Sequence, residues 1–165
     1  MKTNPIYPTS PDMDLQLHFR LATTHDLPTI VQMLADDYLG KGTEVYSDPL
    51  PENYYLAFRE IQQDSRSELM VVEMDGVVVG TFQLSYLPYL INQGGCRALV
   101  EAVRVHSSYR GKGIGHTMFA FIFERARQKG CSMVQLTSNK KRIDAIRFYK
   151  SIGFTDSHEG LKLEL

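Results

Sequence analysis

The sequence predicts a single domain of the α/β (α+β) class, and three observations carry that prediction. Two runs rich in β-branched residues, Glu68 to Met74 and Val77 to Tyr86, flank Asp75-Gly76, the strongest short-range signal for a hairpin. Glu101 to His116 reads as a strand that breaks into a glycine-rich turn and opens a helix. Elsewhere apolar residues recur every three or four positions, in helical stripes. At 165 residues the chain fits one domain, long enough to bury roughly 70% of its unfolded surface and still carry a cleft.

Residues 1–13 hold three prolines and no signal-peptide apolar stretch, which reads as a flexible leader, with the domain at 14–165. Leu15, Leu17, Phe19 and Leu21 alternate with Gln16, His18 and Arg20, so Leu15 to Leu21 is a half-buried first strand. Thr24 is the expected cap of the next helix, with Asp26 near its positive end and Pro28 where a missing N–H costs little. The stripe Leu27, Ile30, Val31, Leu34 carries that helix to about Tyr38 to Gly40.

After a loop from Gly40 to Pro51, a second helix starts at Pro51-Glu52 and runs through Ile61. Tyr46, Tyr54 and Tyr55 cluster around this loop and read either as pocket lining or as aromatic packing. Beyond the hairpin, Pro88 to Gly95 is a loop and Cys96 to Val105 the next antiparallel strand. Ile114, Met118, Ile122 and Ala126, widened by Phe119 and Phe123, predict a helix closed by Lys129-Gly130. Ser132 to Thr137 then reads as a strand, Lys140 to Ser151 as a helix ended by Gly153, and Phe154 to Leu165 as a final hairpin around Glu159-Gly160.

The glycine-rich turn is where the sequence states its chemistry. The first N–H groups of a helix have no partner within it and sit at the positive end of its dipole, so they favour an anionic oxygen. Glycines at 111, 113 and 115 remove side chains that would keep such an anion away. The P-loop spacing is absent, and the dinucleotide fingerprint would need glycine where His116 stands. A meander of strands ahead of the turn is also unlike the βαβ entry of a dinucleotide-binding domain.

Arg110-Gly111-Lys112-Gly113-Ile114-Gly115 after Val103-Arg104-Val105 resembles motif A of the GNAT superfamily of acetyl-CoA-dependent N-acetyltransferases, Arg/Gln-x-x-Gly-x-Gly/Ala. Ala145-Ile-Arg-Phe-Tyr149-Lys-Ser-Ile-Gly153-Phe154 lies where that family places a second motif, so the resemblance covers most of the chain. It implies a mixed, mostly antiparallel central sheet flanked by about four helices, with acetyl-CoA as co-substrate. It further implies that Arg110 to His116 hold the diphosphate, mostly by backbone N–H groups. Val103, Arg104 and Val105 would pair with the pantetheine arm and polarise the thioester oxygen.

By the same resemblance Tyr149 is the general acid that protonates the leaving thiolate, since a phenol of pKa about 10 is protonated at neutral pH. Its ring packs on the sheet in either case. Glu101 stands where several members carry an acid near the acceptor amine, and it reads either as a base or as a structural or surface carboxylate. On a regular strand it shares a face with Val103 and Val105 unless a bulge intervenes. The family commonly has Asn at the position of Arg142; Asn139, in the loop before the helix, is left to reach the cofactor, and Arg142 would meet a phosphate or carboxylate. Lys141-Arg142-Ile-Asp144-Ala145-Ile-Arg147-Phe148-Tyr149 with Ser157-His158 is similar to the aminoalkylphosphonate N-acetyltransferases. That places Arg142, Arg147 and His158 either around an anionic acceptor or on a solvated surface.

Net charge of -1 gives no electrostatic case for nucleic acid or an acidic membrane as the main partner, and no apolar run approaches the ~20 residues that span a bilayer. Cys96 and Cys131, far apart, offer neither metal spacing nor a disulfide framework, which suits a reducing cytoplasm and two small core or surface thiols. The expected activity is acetyl transfer to a primary amine of a small molecule by direct attack in a ternary complex, without a metal. The rivals are transfer to a protein amine and a non-catalytic acyl-CoA sensor or assembly module. By resemblance a homodimer is compatible with the fold.

Overall fold

The hairpin at Asp75-Gly76 forms the middle of the sheet. Both turn residues take left-handed backbone, φ 52° and 76°, the geometry that lets a two-residue turn follow the twist of its strands. The computed structural model describes residues 16–36 and 44–164. The proposed leader, Leu15 and the segment expected to end the first helix lie outside them. The elements are β1 (Leu17–Leu21), α1 (Leu27–Ala35), α2 (Glu52–Gln63), β2 (Ser67–Met74), β3 (Val77–Pro88), α3 (Ile91–Gly94), β4 (Cys96–Val105), α4 (Ile114–Gln128), β5 (Met133–Leu136) and α5 (Ile143–Ser151). α3 is a single turn with Asn92 and Gln93 left-handed, so four longer helices flank the sheet among the described residues.

The strand order is β1-β2-β3-β4-β5, antiparallel except for the parallel pair β4–β5. This is the mixed α/β sheet that the sequence predicts. β2 is an interior strand buried on both faces, and its alternate residues go to two cores. Met70 and Val72 join Phe82, Leu84, Val100, Met118, Phe119 and Ile122 under α4, while Leu69 and Val71 meet Leu27, Ile30, Val31 and Phe58 of α1 and α2. Truncating a side chain such as Ile122, wholly buried, to alanine costs about 2–5 kcal/mol.

The far end of α4 is clamped to β2. Buried Glu68 accepts from Arg125 at 2.6 and 3.0 Å and from the Tyr86 hydroxyl at 2.8 Å, and Lys129 lies 3.2 Å away. Burial alone would raise its pKa, but these donors outweigh burial and hold it below the usual carboxylate range. With its C-terminus pinned and Ile114 buried, α4 presents a fixed N-terminus.

Several expectations are corrected. The cap of the first helical segment is Thr23, whose N–H and hydroxyl both donate to Asp26 Oδ2 at 2.7 and 2.8 Å; Thr24 begins a 3-10 turn instead. Helix α1 ends at Ala35, and Leu21, the last residue of β1, is 58% exposed. Helix α5 starts at Ile143, since Asn139 folds residues 139–142 into a turn. The final hairpin does not form: no strand follows α5 among the described residues, and Leu161 and Leu163 stand 94% and 86% exposed. Alternation without a ladder partner and a covered face does not make a strand. The two cysteines, although 35 residues apart, place their sulfurs 3.0 Å from each other.

Candidate active site

Two irregularities in β4 build the site. The first is a bulge. The β3–β4 ladder pairs Val105 with Gly80, Arg104 with Thr81, then Glu101 with Gln83, so Ala102 and Val103 together oppose Phe82. Ala102 takes φ 53°, a left-handed conformation unusual for a residue with a Cβ. The extra residue flips parity: Val103 and Val105 pack into the α4 core, while Glu101 and Arg104 lie on the opposite face.

The second irregularity is a fork. β5 pairs only with Arg97 to Val100, so β4 from Glu101 to Val105 runs on with no β5 neighbour. At this open edge the Val103 carbonyl accepts from Arg104 Nη1 at 2.8 Å and the Val105 carbonyl from Arg110 Nε at 3.0 Å.

The fork leads into the glycine-rich turn. Gly111 and Gly113 have φ 76° and 81°, and nothing lies within 4 Å of where a Cβ would stand on either. The N–H of Arg110 is engaged by Ser107 O, and those of His116 and Thr117 by Gly113 O. Between them, the N–H groups of Gly111, Lys112, Gly113, Ile114 and Gly115 find no acceptor among the described residues. Gly115 is needed for packing, since a Cβ there would come within 3.2 Å of the Phe148 ring. Lys112 and His116 are exposed: Lys112 Nζ lies 5.1 Å from the Tyr109 ring centre, and His116 meets Phe148 edge-on at 5.0 Å.

Phe119, Phe148 and Phe154 surround Tyr149 with ring centres at 5.5, 5.6 and 6.0 Å. Burial pushes the Tyr149 phenol above its ordinary pKa, while the Arg104 and Arg142 guanidiniums pull it the other way. Arg104 is itself largely withdrawn from water, and that burial lowers its pKa against the raising effects of Tyr149 and Glu44. Sequence reasoning missed Glu44, an acid in a loop with no local pattern to mark it. Its Oε2 accepts from the Tyr54 hydroxyl at 2.9 Å, and that hydroxyl accepts from Val45 N–H at 3.0 Å. Of the three loop tyrosines, Tyr54 therefore reaches this neighbourhood, Tyr55 packs with the α1–α2 core and Tyr46 is exposed.

The remaining candidates are placed as follows. Glu101 is exposed one residue before the bulge. Asn139 is exposed; its Oδ1 accepts from Lys141 N–H and its carbonyl from Arg142 N–H, both at 2.9 Å, so its oxygens shape the turn before α5. Arg147 is exposed and 3.4 Å from Asp144, and His158 pairs with Ser157 at 2.8 Å on the irregular C-terminal segment. Neither contacts Tyr149 among the described residues, which favours solvated surface charges.

The profile of the acetyltransferase (GNAT) family matches residues 27–154, spanning the fork, the turn and α5. The chain belongs to the GNAT acetyltransferase family. GNAT acetyltransferases draw their acyl group from acetyl-CoA. Over 90 residues the chain is 33% identical to the glucosamine 6-phosphate N-acetyltransferase of Trypanosoma brucei brucei, covering 54% of this chain and 59% of that protein. Over 84 residues it is 33% identical to the aminoalkylphosphonate N-acetyltransferase of Salmonella typhimurium, covering 51% and 54%. The chain thus spans somewhat more than half the length of these GNAT relatives. A crystal structure described as a transcriptional regulator from Bacillus halodurans C-125 superposes with TM-score 0.88 at 47% identity, covering 91% of this chain and 100% of that one.

This GNAT site fits acetyl-CoA on its own geometry. Consecutive N–H donors with no acceptor among the described residues, at a helix N-terminus cleared by left-handed glycines, suit a diphosphate, and the open β4 edge suits an amide-bearing arm.

Proposed function

We propose that this protein transfers an acetyl group from acetyl-CoA to the primary amine of a small molecule, by direct attack in a ternary complex. The observation that carries the reading is the run of N–H groups from Gly111 to Gly115 without acceptors among the described residues, at the mouth of the fork and leading into the same α4 that packs against Tyr149. In this reading those N–H groups hold the diphosphate, Arg110 adds charge, and the β4 edge at Val103 to Val105 aligns the arm and polarises the thioester oxygen. Tyr149, kept protonated by burial, donates to the departing sulfur. Glu101 takes a proton from the incoming ammonium, directly or through water.

The acceptor proposed is a small amine that also carries an anionic group. Arg104 and Arg142 both act on Tyr149, so positive charge borders the reacting centre. Two of the relatives, the glucosamine 6-phosphate and aminoalkylphosphonate N-acetyltransferases, are named for amines bearing a phosphate or phosphonate. Free-thiol release from acetyl-CoA, assayed with amino-sugar phosphates and aminoalkylphosphonates against their uncharged counterparts, tests this. The anionic amines should turn over with the lower KM, and Arg104→Gln should raise that KM at least about tenfold while moving the KM of neutral amines less than about threefold. Equal KM values for charged and neutral amines would remove the anionic acceptor.

A second reading follows from the relative described as a transcriptional regulator: an acyl-CoA-binding module without catalysis. It gains if acetyl-CoA binds while no amine on the panel releases thiol.

A further inference from the structure

The sulfurs of Cys96 and Cys131 stand 3.0 Å apart at the closed end of the β4–β5 fork. Cys96 opens β4, where it faces Pro88 in the ladder, and Cys131 follows the left-handed Gly130 that ends α4. Both backbones are fixed independently of the thiols. Ser132 N–H donates to the Cys96 carbonyl at 2.9 Å, and Cys131 N–H donates to the Ala126 carbonyl at 2.9 Å. Both residues are half-buried, so small reagents reach them, and neither is used in the acetyl-transfer reading.

We propose that Cys96 and Cys131 are a reversible dithiol site that closes to an intrachain disulfide by exchange with a low-molecular-weight disulfide. Forming the bond requires the sulfurs to close by about 1 Å, a side-chain rotation that leaves both strands in place. Burial, with the neighbouring Cys96 sulfur adding to it, pushes the Cys131 thiol up to about 12. One sulfur of the pair, as its thiolate, displaces one thiolate from the external disulfide and forms a mixed disulfide. The other sulfur then attacks the first, its proton passes to solvent, and a second external thiolate leaves. Two protein thiols are oxidised and one external disulfide is reduced to two thiols, so atoms and electrons balance.

The link encloses the glycine-rich turn and α4 in one covalent loop and ties the entry of β5 to the start of β4. Closing a loop of 35 residues restricts the unfolded chain, and here the native geometry needs little distortion.

The test treats the folded protein with oxidised glutathione and follows alkylatable thiols, intact mass and melting temperature. The expected result is loss of both thiols and of the mass of two hydrogen atoms, a Cys96–Cys131 linked peptide, and a melting temperature raised by about 10 °C, all reversed by dithiothreitol. Cys96→Ser and Cys131→Ser should each retain one thiol, form no intrachain link and show no rise. In their reduced state both should melt with the reduced wild type, which separates loss of the link from failure to fold. A lasting glutathione adduct on the wild type, an interchain link, thiols that stay unreactive, or a link that leaves the melting temperature unraised would each overturn the proposal.

Discussion

Replacing Tyr149 with Phe deletes one oxygen and little else. The ring contacts to Phe119, Phe148 and Phe154 survive, and the hydroxyl makes no hydrogen bond among the described residues, so no buried partner is stranded. Stability should move by less than about 1 kcal/mol. Chemistry should move far more, because burial keeps the phenol protonated and thus able to donate as charge develops on sulfur. A positioned general acid contributes about 10²- to 10⁴-fold, or about 3–5 kcal/mol of barrier. Steady-state thiol release should therefore show kcat reduced at least about 100-fold, with the acetyl-CoA Kd from calorimetry within about threefold of wild type. A kcat within about threefold of wild type would refute the reasoning and leave Tyr149 as packing.

Three further perturbations separate binding, base and stability. Gly113→Ala meets no neighbour but forces a Cβ onto φ 81°, which costs about 1–2 kcal/mol and should disturb the turn; calorimetry should show acetyl-CoA binding weakened about tenfold, and unchanged affinity would exclude the turn from binding. Glu101→Gln keeps the shape and removes the base, so kcat/KM should fall at least about tenfold; an unaltered kcat/KM makes Glu101 a surface carboxylate. Asp26, paired with Arg20 at 2.7 and 2.9 Å and with its side chain 9% exposed, is held at about 2 against an ordinary 3.8. A depressed folded pKa contributes stability that is present above about pH 4 and is lost as pH falls through about 2. Urea melts should show Asp26→Asn about 2 kcal/mol less stable than wild type at pH 7 and nearly equal to it at pH 2; a difference independent of pH would contradict the pairing.

What the sequence made legible is what it encodes locally. Asp75-Gly76 and the turn at 110–116 announce themselves because left-handed backbone and free N–H groups demand glycine within a few positions. The bulge was foreseen only as a condition, since Ala102 at φ 53° carries no signal in its residue type. Only the register against Gln83 and Thr81 settles which face Glu101 takes. The charge of Glu44 acting on Arg104 and the Cys96–Cys131 contact join segments far apart in sequence, and no period or motif links them. The C-terminal segment differs the other way: Leu161 and Leu163 alternate as a strand should, yet nothing among the described residues pairs with them.

The most direct measurement is the amide 15N–1H spectrum of the protein titrated with coenzyme A. The account predicts that the N–H resonances of Gly111, Lys112, Gly113, Ile114 and Gly115 move downfield as they acquire phosphate acceptors, saturating together at one Kd. If those five resonances hold still while coenzyme A binds and shifts appear elsewhere, the turn is not the diphosphate site and the proposed catalytic arrangement fails with it.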